Sequence, residues 1–154
     1  MRVLVRQGWE GDIEWMVAQM IEFSKFFGTR HPLFGDVEFV RMGLKNLIKN
    51  HFVRVATGCN SEGIIDKMGF LIGFLTPHPY NPAIKLLSEQ FFWVDEKYRG
   101  SRAGLMLLDS FVDFGKKNAH WITMAMEKNS KMNDRALLRR GFRQHEVSYL
   151  KEVA

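Results

Sequence analysis

The stretch Val94-Asp-Glu-Lys-Tyr-Arg-Gly-Ser-Arg-Ala-Gly-Leu-Met-Leu-Leu108 decides how this chain folds. It follows an apolar, aromatic run at residues 91–94 that has the composition of a buried strand. Apolar residues then recur at helical spacing, at Leu105, Leu108, Phe111 and Val112. A strand that ends in a basic, glycine-containing turn and opens a helix directs backbone N–H groups and the positive end of the helix dipole outward. This pattern predicts a phosphate-binding turn.

The composition is that of an ordinary globular protein, with 46% apolar and 25% charged residues in 154. We therefore expect a single domain over residues 1–154. The single cysteine, Cys59, excludes an internal disulfide and a cysteine-based metal site, which favours a cytoplasmic location. The start of the chain is too short for a signal peptide, and no apolar run reaches the roughly 18 residues that span a bilayer. We expect no membrane and no metal.

The net charge of +5 is unevenly distributed along the chain. Residues 1–95 carry ten basic and ten acidic side chains, whereas residues 96–154 carry twelve basic and seven acidic ones. The excess therefore lies in the half that contains the phosphate-like turn, and it indicates an anionic partner there. Nucleic acid and a polyphosphorylated cofactor both satisfy this pattern.

The periodicity of the apolar residues predicts a mixed sheet flanked by helices, in the order β-α-α-β-β-β-α-β-α-β. Strands are predicted at residues 2–6, 52–57, 67–76, 86–94, 121–126 and 142–150. Helices are predicted at residues 11–27 and 37–50, within 96–118 after the turn, and at 132–140. Asp36 is the predicted N-cap of the second helix.

This order, with this turn after the fourth strand, resembles the GNAT acyltransferase superfamily. The family's motif Arg/Gln-x-x-Gly-x-Gly/Ala has Arg99 at its first position here and Gly104 at its last, with Arg102 in place of the middle glycine. The pair Gly141-Phe142 is similar to the family's later signature. The opening also fits, with Arg6 on the first strand and Asp12 at the start of the first helix.

The resemblance implies an α/β (α+β) fold with six to seven strands, about four helices and a V-shaped gap between the fourth and fifth strands. Acetyl-coenzyme A would lie in that gap, and no metal would be needed. The residues implied to bind it are Trp93 and Val94 for the pantetheine arm, Arg99, Gly100, Ser101, Arg102, Ala103 and Gly104 around the pyrophosphate, and Asn129 for the pantetheine. The neighbouring Asn133 is an alternative to Asn129, and loop capping is an alternative role for either asparagine.

Two positions depart from the family pattern. Arg102 is compatible with the turn if its φ is negative, and it then adds a cation near the phosphates. Leu137 occupies the position where many family members carry the tyrosine that protonates the departing thiolate. Tyr98 and Tyr149 are candidates to replace that acid, although packing is the alternative role for both.

Glu89 is the predicted general base because it lies on the strand that leads to the implied site. A regular strand would place Glu89 and Val94 on opposite faces, since they are five residues apart. A β-bulge, which the family resemblance implies here, would change that phase. The alternative is a solvated surface glutamate.

The sequence thus predicts an acetyl-CoA-dependent N-acetyltransferase whose acceptor is an amine of a small molecule or a protein. By resemblance, residues 28–36 would shape the acceptor pocket, and a homodimer is possible. Two other interpretations stay open: a GNAT-fold protein that binds coenzyme A without catalysis, which Leu137 favours, and a nucleic-acid-binding module, which only the charge favours.

Overall fold

The fold was analysed in a computed structural model that describes residues 1–63, 65–127, 130, 132 and 134–153. Its elements are β1 (Arg2–Gln7), α1 (Ile13–Ser24), α2 (Val37–Asn50), β2 (Phe52–Cys59), β3 (Ile65–His78), β4 (Asn81–Val94), α3 (Ala103–Asn118), β5 (Trp121–Thr123) and α4 (Arg135–Leu138). Short 3-10 turns at Glu10–Asp12 and Glu96–Tyr98 precede α1 and α3. The predicted order is confirmed up to α4.

The five strands form one mixed sheet in the order β1-β2-β3-β4-β5. Successive pairs are antiparallel from β1 to β4, and β5 runs parallel to β4. A parallel neighbour requires a crossover, and α3 supplies it. The predicted count of six to seven strands is not confirmed for the described residues.

The strand predicted at residues 142–150 is wrong, because those residues lie in no helix or strand. Their sequence carries a strand-like composition, but most of their side chains are exposed, including Val147 and Tyr149. A strand needs hydrogen-bond partners for its backbone groups and a surface for its side chains, and no described strand pairs with this segment.

Local sequence signals explain where the first two helices begin. The Asp36 side chain accepts a hydrogen bond of 2.9 Å from the backbone N–H of Phe39, so its predicted capping role is confirmed. Before α1, the fully buried Asp12 is held by the Arg6 guanidinium, 2.7 and 2.8 Å from its two oxygens, and by Lys67 Nζ at 3.1 Å. The ion pair between Arg6 and Asp12 therefore fastens β1 to the start of α1.

The core has two layers, one on each face of the sheet. On one face α1 and α2 cover a cluster that includes Met16, Leu44, Phe70 and Phe91. On the other face α3 covers a second cluster, with Leu87, Phe92, Leu107 and Phe111. Most of these side chains are fully buried, and burial of each large apolar side chain contributes about 1.5–3 kcal/mol.

A β-bulge in β4 changes the phase of the strand at the point where the site lies. Ile72 pairs with Phe91 and Gly73 pairs with Glu89, so Gln90 is the extra residue. Leu87 and Phe92 consequently pack on the same face although they are five residues apart. Gly73 suits this position because a Cβ there would lie 2.5 Å from the Phe111 ring. The predicted bulge is confirmed.

Candidate active site between the fourth and fifth strands

The backbone pairing of β4 and β5 ends well before β4 does. The last pair is Ser88 with Thr123, and β4 continues for the residues Glu89–Val94 without a neighbour on that side among the described residues. Beyond the last pair, the Ala125 amide donates to the Glu89 carboxylate over 3.3 Å instead of to a strand carbonyl. This parting of the strands agrees with the predicted gap, and it leaves backbone groups of β4 available to a ligand.

Glu89 lies at the apex of the gap and is half-buried. Burial raises the pKa of its carboxyl to about 7; the hydrogen bond from the Ala125 amide opposes this rise, and the nearby Glu127 adds to it. At neutral pH the group therefore exchanges a proton readily, which a general base requires.

The predicted phosphate-binding turn lies directly after β4. Gly100 has φ +87°, a backbone conformation that side-chain-bearing residues rarely adopt, so glycine is favoured there. Arg102 has φ −74° and ψ −7°, which satisfies the condition set by its place in the motif. Ser101 supports the turn, since its hydroxyl accepts from the Ala103 amide over 3.2 Å. The turn is therefore well defined without a ligand.

Free amides at the start of α3 make the turn suitable for an anion. Within the described part of the chain, the N–H groups of Arg102, Gly104 and Leu105 have no acceptor. The Ser101 amide, by contrast, already donates to the Tyr98 carbonyl over 3.1 Å. An anion at this helix N-terminus would satisfy the unpaired donors and meet the positive end of the dipole.

The Arg99 side chain does not reach out over the turn. Its Nε donates to the Val94 carbonyl over 3.2 Å, and its guanidinium carbon lies 4.5 Å from the Trp93 ring centre and 5.8 Å from that of Phe26. Trp93 is itself fixed by a hydrogen bond of 2.8 Å from its Nε1 to Gln19. Arg99 therefore braces the exit of β4 against α1, a role that the motif alone does not reveal.

A basic cleft of about 580 Å³ opens beside the turn, between α3 and α4. It is lined by Leu105, Asp109, Arg135, Ala136, Arg139 and Arg140. Arg140 bridges the two helices, with Nε 2.6 Å from an Asp109 oxygen and Nη1 2.8 Å from the Ala136 carbonyl. The sequence contained these arginines as a basic cluster, but only the approach of α4 to α3 makes them walls of a cleft.

The remaining predicted residues fall in different places. Asn129 lies outside the described residues. The hydroxyl of Tyr98 donates to Asp66, and burial, followed by that bond, raises the pKa of Tyr98. Tyr149 is 94% exposed, and Leu137 is half-buried on α4. The structure thus brings neither tyrosine to the gap.

Three further findings concern the predicted acceptor loop, metal binding and membrane spans. In the 28–36 loop, Phe34 packs 6.1 Å from Phe91, ring centre to ring centre, and so covers β4 near the bulge. Among the described residues, no group of three or more His, Cys, Asp or Glu side chains is arranged to hold a metal. No helix in the described part of the chain is long and apolar enough to cross a membrane.

Comparison with known proteins gives matches at the level of structure only. No family model matches the sequence, and no curated protein matches it. A transcriptional regulator from Bacillus halodurans C-125 superposes with a TM-score of 0.72 at 22% identity, over 98% of this chain and 100% of that one. Glucosamine-6-phosphate N-acetyltransferase from Arabidopsis thaliana superposes with a TM-score of 0.72 at 13% identity, over 100% of both chains.

A third structure, of a predicted acetyltransferase from Clostridium acetobutylicum with acetyl-CoA, has a TM-score of 0.71 at 15% identity and covers 99% of this chain and 96% of that one. At such identities the likeness concerns the fold, and it extends over almost all of each chain. Most of the similar structures are acetyltransferases of the GNAT type. This chain therefore has the fold of the GNAT superfamily.

Proposed function

We propose that this protein is an N-acetyltransferase that moves an acetyl group from acetyl-coenzyme A to an amine of a small molecule or a protein. The observation that carries the proposal is the continuation of β4 beyond its last pair with β5, from a half-buried carboxylate at Glu89 to the free amides of the turn. An elongated ligand with a reactive thioester at one end and an anionic group at the other would match this arrangement. The thioester would lie near Glu89, and the anionic group would lie at the free amides.

The residues present fit acetyl-coenzyme A. The amides of Arg102, Gly104 and Leu105 would hold the pyrophosphate, since they lack other acceptors among the described residues. The arginines of the α3–α4 cleft would face the remaining phosphate. The backbone of Trp93 and Val94, which has no strand neighbour on the side away from β3 among the described residues, would hold the pantetheine arm. When bound, the cofactor supplies the activated acetyl group.

The protein's own contribution would be positioning and removal of a proton. Glu89, with a pKa of about 7, would accept the proton of the incoming ammonium, directly or through a water. A backbone amide at the end of β4 would polarise the acetyl carbonyl. Neither Tyr98 nor Tyr149 lies in the gap, so in this proposal the departing thiolate takes its proton from solvent.

Binding is tested first, by the melting temperature with and without acetyl-coenzyme A. At a concentration of 100 times Kd, ligand binding adds about 2.7 kcal/mol to the free energy of unfolding, a rise of roughly 5–10 °C. Arg139→Glu should reduce the rise, because Arg139 lines the cleft. Lys116→Glu is the matched control, since the same charge reversal then lies at the far end of α3. An unmoved melting temperature in the unaltered protein would contradict the proposal.

Catalysis is tested by release of free thiol with a panel of amines. Glu89→Gln should lower kcat by about 100-fold or more, while leaving the cofactor-induced rise in melting temperature intact. Glu62→Gln, in the exposed turn before β3, is the matched control and should leave kcat unchanged. Full activity of the Glu89→Gln variant would contradict the role of Glu89 as the general base.

The second candidate function is cofactor binding without catalysis. It is favoured by Leu137, which leaves the usual acid out of the site. A clear rise in melting temperature with acetyl-coenzyme A, together with no thiol release from any amine, would favour this alternative. Salt-sensitive binding of RNA or DNA without any effect of the cofactor would instead favour a nucleic-acid-binding module.

A further inference from the structure

Three segments of the chain meet at the end of the sheet where β3 turns back into β4, and β4 runs from there to the turn at residues 99–104. In the middle lies the β3–β4 hairpin, in which Leu86 is the partner of Thr76 on β3 and of Trp121 on β5. The junction of α2 and β2 lies beside it, because the His51 ring is 4.8 Å from the Phe74 ring, centre to centre. These segments, residues 45–54, 76–86 and 116–123, form the hairpin end.

The charged side chains of the hairpin end are all basic. Its segments contain no aspartate or glutamate and six basic residues: Lys45, Lys49, Arg54, Lys85, Lys116 and Lys117. The nearest acidic residues along the chain, Glu89 and Asp113, lie outside the segments. Lysines in the last turns of α2 and α3 complement the negative ends of the helix dipoles, but Arg54 and Lys85 lie on strands and have no such role. This concentration of positive charge favours an anionic partner.

Three aromatic rings in contact form an exposed platform among these charges. The centre of the His78 ring lies 5.2 Å from that of Trp121 and 5.9 Å from that of Tyr80. The Tyr80 amide donates to His78 Nδ1 over 3.2 Å, which fixes the His78 ring between the other two. The side chains of Tyr80 and Trp121 are 93% and 51% exposed. Their rings are therefore open to a ligand that stacks on aromatic faces.

Backbone hydrogen bonds fix a cationic residue beside this platform. The Lys85 amide donates to His120 Nδ1 over 2.9 Å, and the His120 amide donates to the Lys85 carbonyl over 2.8 Å. His120 directly precedes Trp121, so these two bonds hold Lys85 next to the platform. Rings for stacking and cations around them are what a single-stranded nucleic acid requires, because bases and phosphates alternate along its strand.

We propose that the hairpin end binds single-stranded nucleic acid, with bases stacked on Tyr80 and Trp121 and phosphates paired with the surrounding lysines. A duplex hides the faces of its bases, so it would use the charge alone. An anionic membrane fits less well, because the only exposed large apolar side chains of the hairpin end are these two aromatic ones, without aliphatic surface for insertion. The proposal does not depend on the proposed function, since the turn at residues 99–104 lies at the other end of β4.

The first measurement is the binding of labelled RNA and DNA single strands of about 12 nucleotides to the full chain, by fluorescence anisotropy. The single strand of one or both kinds should bind about five-fold or more tightly than its duplex, and more tightly than inorganic polyphosphate, which has no bases. Equal affinity for the duplex or for polyphosphate would overturn the stacking role. Failure of both single strands to bind at high micromolar concentration, with or without binding of phosphatidylserine vesicles, would overturn the proposal.

The platform is tested with a matched pair of tyrosines. Tyr80→Ala should weaken binding of the single strand roughly 5–100-fold. Tyr149→Ala is the control, because Tyr149 is 94% exposed but lies in the segment after α4. Neither substitution should change the melting temperature, since both side chains are almost fully exposed. Equal affinities of the two variants would contradict the platform.

The phosphate contacts are tested through the dependence of affinity on salt. Each lost contact flattens the slope of log K against log salt by about 0.7, so Lys85→Gln combined with Lys117→Gln should flatten it by about 1.4. Lys25→Gln, after α1 and next to the Phe26 that contacts Trp93 near the far end of β4, should leave the slope unchanged. The same slope in both proteins would overturn the placement of the strand. Displacement of the oligonucleotide by acetyl-coenzyme A would also overturn it, because the oligonucleotide would then lie at the turn.

Discussion

The molecule contains two regions that are built on opposite principles. The paired region, comprising β1–β4 with α1, α2 and α3, has backbone pairing from strand to strand and a fully buried core on both faces of the sheet. The open region comprises the side of Glu89–Val94 that faces away from β3, the turn with the first residues of α3, β5, α4 and residues 142–153. It has few strand pairs, free amides and exposed apolar side chains.

The contrast separates the part of the molecule that contains the core from the part that leaves polar groups unpaired. The paired region joins its strands by backbone pairing and buries one cluster of apolar side chains on each face of the sheet. Among the described residues, the open region leaves backbone donors and a sheet edge without partners, and it holds a carboxylate whose pKa burial raises. Variants that break one region and spare the other test this division.

The largest effect is expected from the core of the paired region. Phe70→Ala should lower the free energy of unfolding by about 3–5 kcal/mol, because Phe70 is fully buried between Trp15 and Phe91. Phe39→Ala, the same truncation on a side chain that is 70% exposed on α2, should change it by less than about 1 kcal/mol. Urea unfolding of both variants measures the difference, and similar losses would contradict the two-layer core.

The next largest effect is a pH-dependent change in the free energy of unfolding that comes from Glu89. Because the folded protein raises the pKa of this carboxyl from 4.5 to about 7, its contribution favours folding below pH 4.5 and is lost as the pH rises to 7. The loss amounts to about 3 kcal/mol. Glu89→Gln should therefore gain stability relative to the unaltered protein as the pH rises. Parallel curves of unfolding free energy against pH for the two proteins would show that the carboxyl is not desolvated.

A third comparison sets the buried ion pair of the paired region against the ion pair of the open region. Asp12→Asn should cost about 2–3 kcal/mol, since it leaves Arg6 and Lys67 beside a buried neutral group. Asp109→Asn removes the partner of Arg140, but the Asp109 side chain is 56% exposed, so the cost should stay below about 1 kcal/mol.

Burial raises the pKa of Asp12, but the hydrogen bonds from Arg6, the Trp9 amide and Lys67 outweigh it, so the pKa lies below its usual value. The stability that Asp12 contributes is therefore lost only in acid, as the pH falls through this lowered value. Thermal unfolding at neutral pH and in acid checks both variants. An equal cost for Asp12→Asn and Asp109→Asn at neutral pH would remove the distinction between the two regions.

The smallest effect tests the turn through two glycines. Gly100→Ala should cost about 1–2 kcal/mol, because φ at this position is +87°. Gly43→Ala, inside α2 with no atom within 4 Å of the added Cβ, should instead stabilise the protein by about 0.5–1 kcal/mol. Chemical denaturation of the two variants gives the sign directly. Equal signs would show that the turn relaxes out of this conformation.

Much of the paired region could be predicted from the sequence because its signals are local. Apolar periodicity identified α2, β2 and β3 to within two residues at each end, and the Asp36 cap lies where the sequence predicts it. It identified the end of β4, but the strand begins at Asn81, five residues before the predicted start. The turn at Gly100–Gly104 was also predictable, since a basic glycine-containing turn between a strand and a helix is a local pattern. The sequence supported Glu89 as the general base less strongly, because a regular strand would place it on the face opposite Val94. The bulge at Gln90 changes this phase and brings the two residues to the same face.

The open region could not be predicted as well, because its structure depends on contacts between distant parts of the chain. Residues 142–150 have a strand-like sequence without a strand partner in one copy, so the local pattern predicted an element that does not form there. The position of Arg99 against Trp93 and Phe26 joins residues far apart in sequence. The α3–α4 cleft likewise exists only where two helices meet.

The sequence by itself determined the order of the elements up to α4 and the position of the glycine-containing turn at residues 99–104, because both follow from periodicity, glycine and charge over a few neighbouring residues. Only the tertiary structure decided that β4 and β5 part after Ser88 and Thr123, that burial raises the pKa of Glu89, and that residues 142–153 stay without a strand partner. Those outcomes depend on contacts between parts of the chain that are far apart in sequence. Burial and strand pairing arise from such contacts, so no single stretch of sequence determines them.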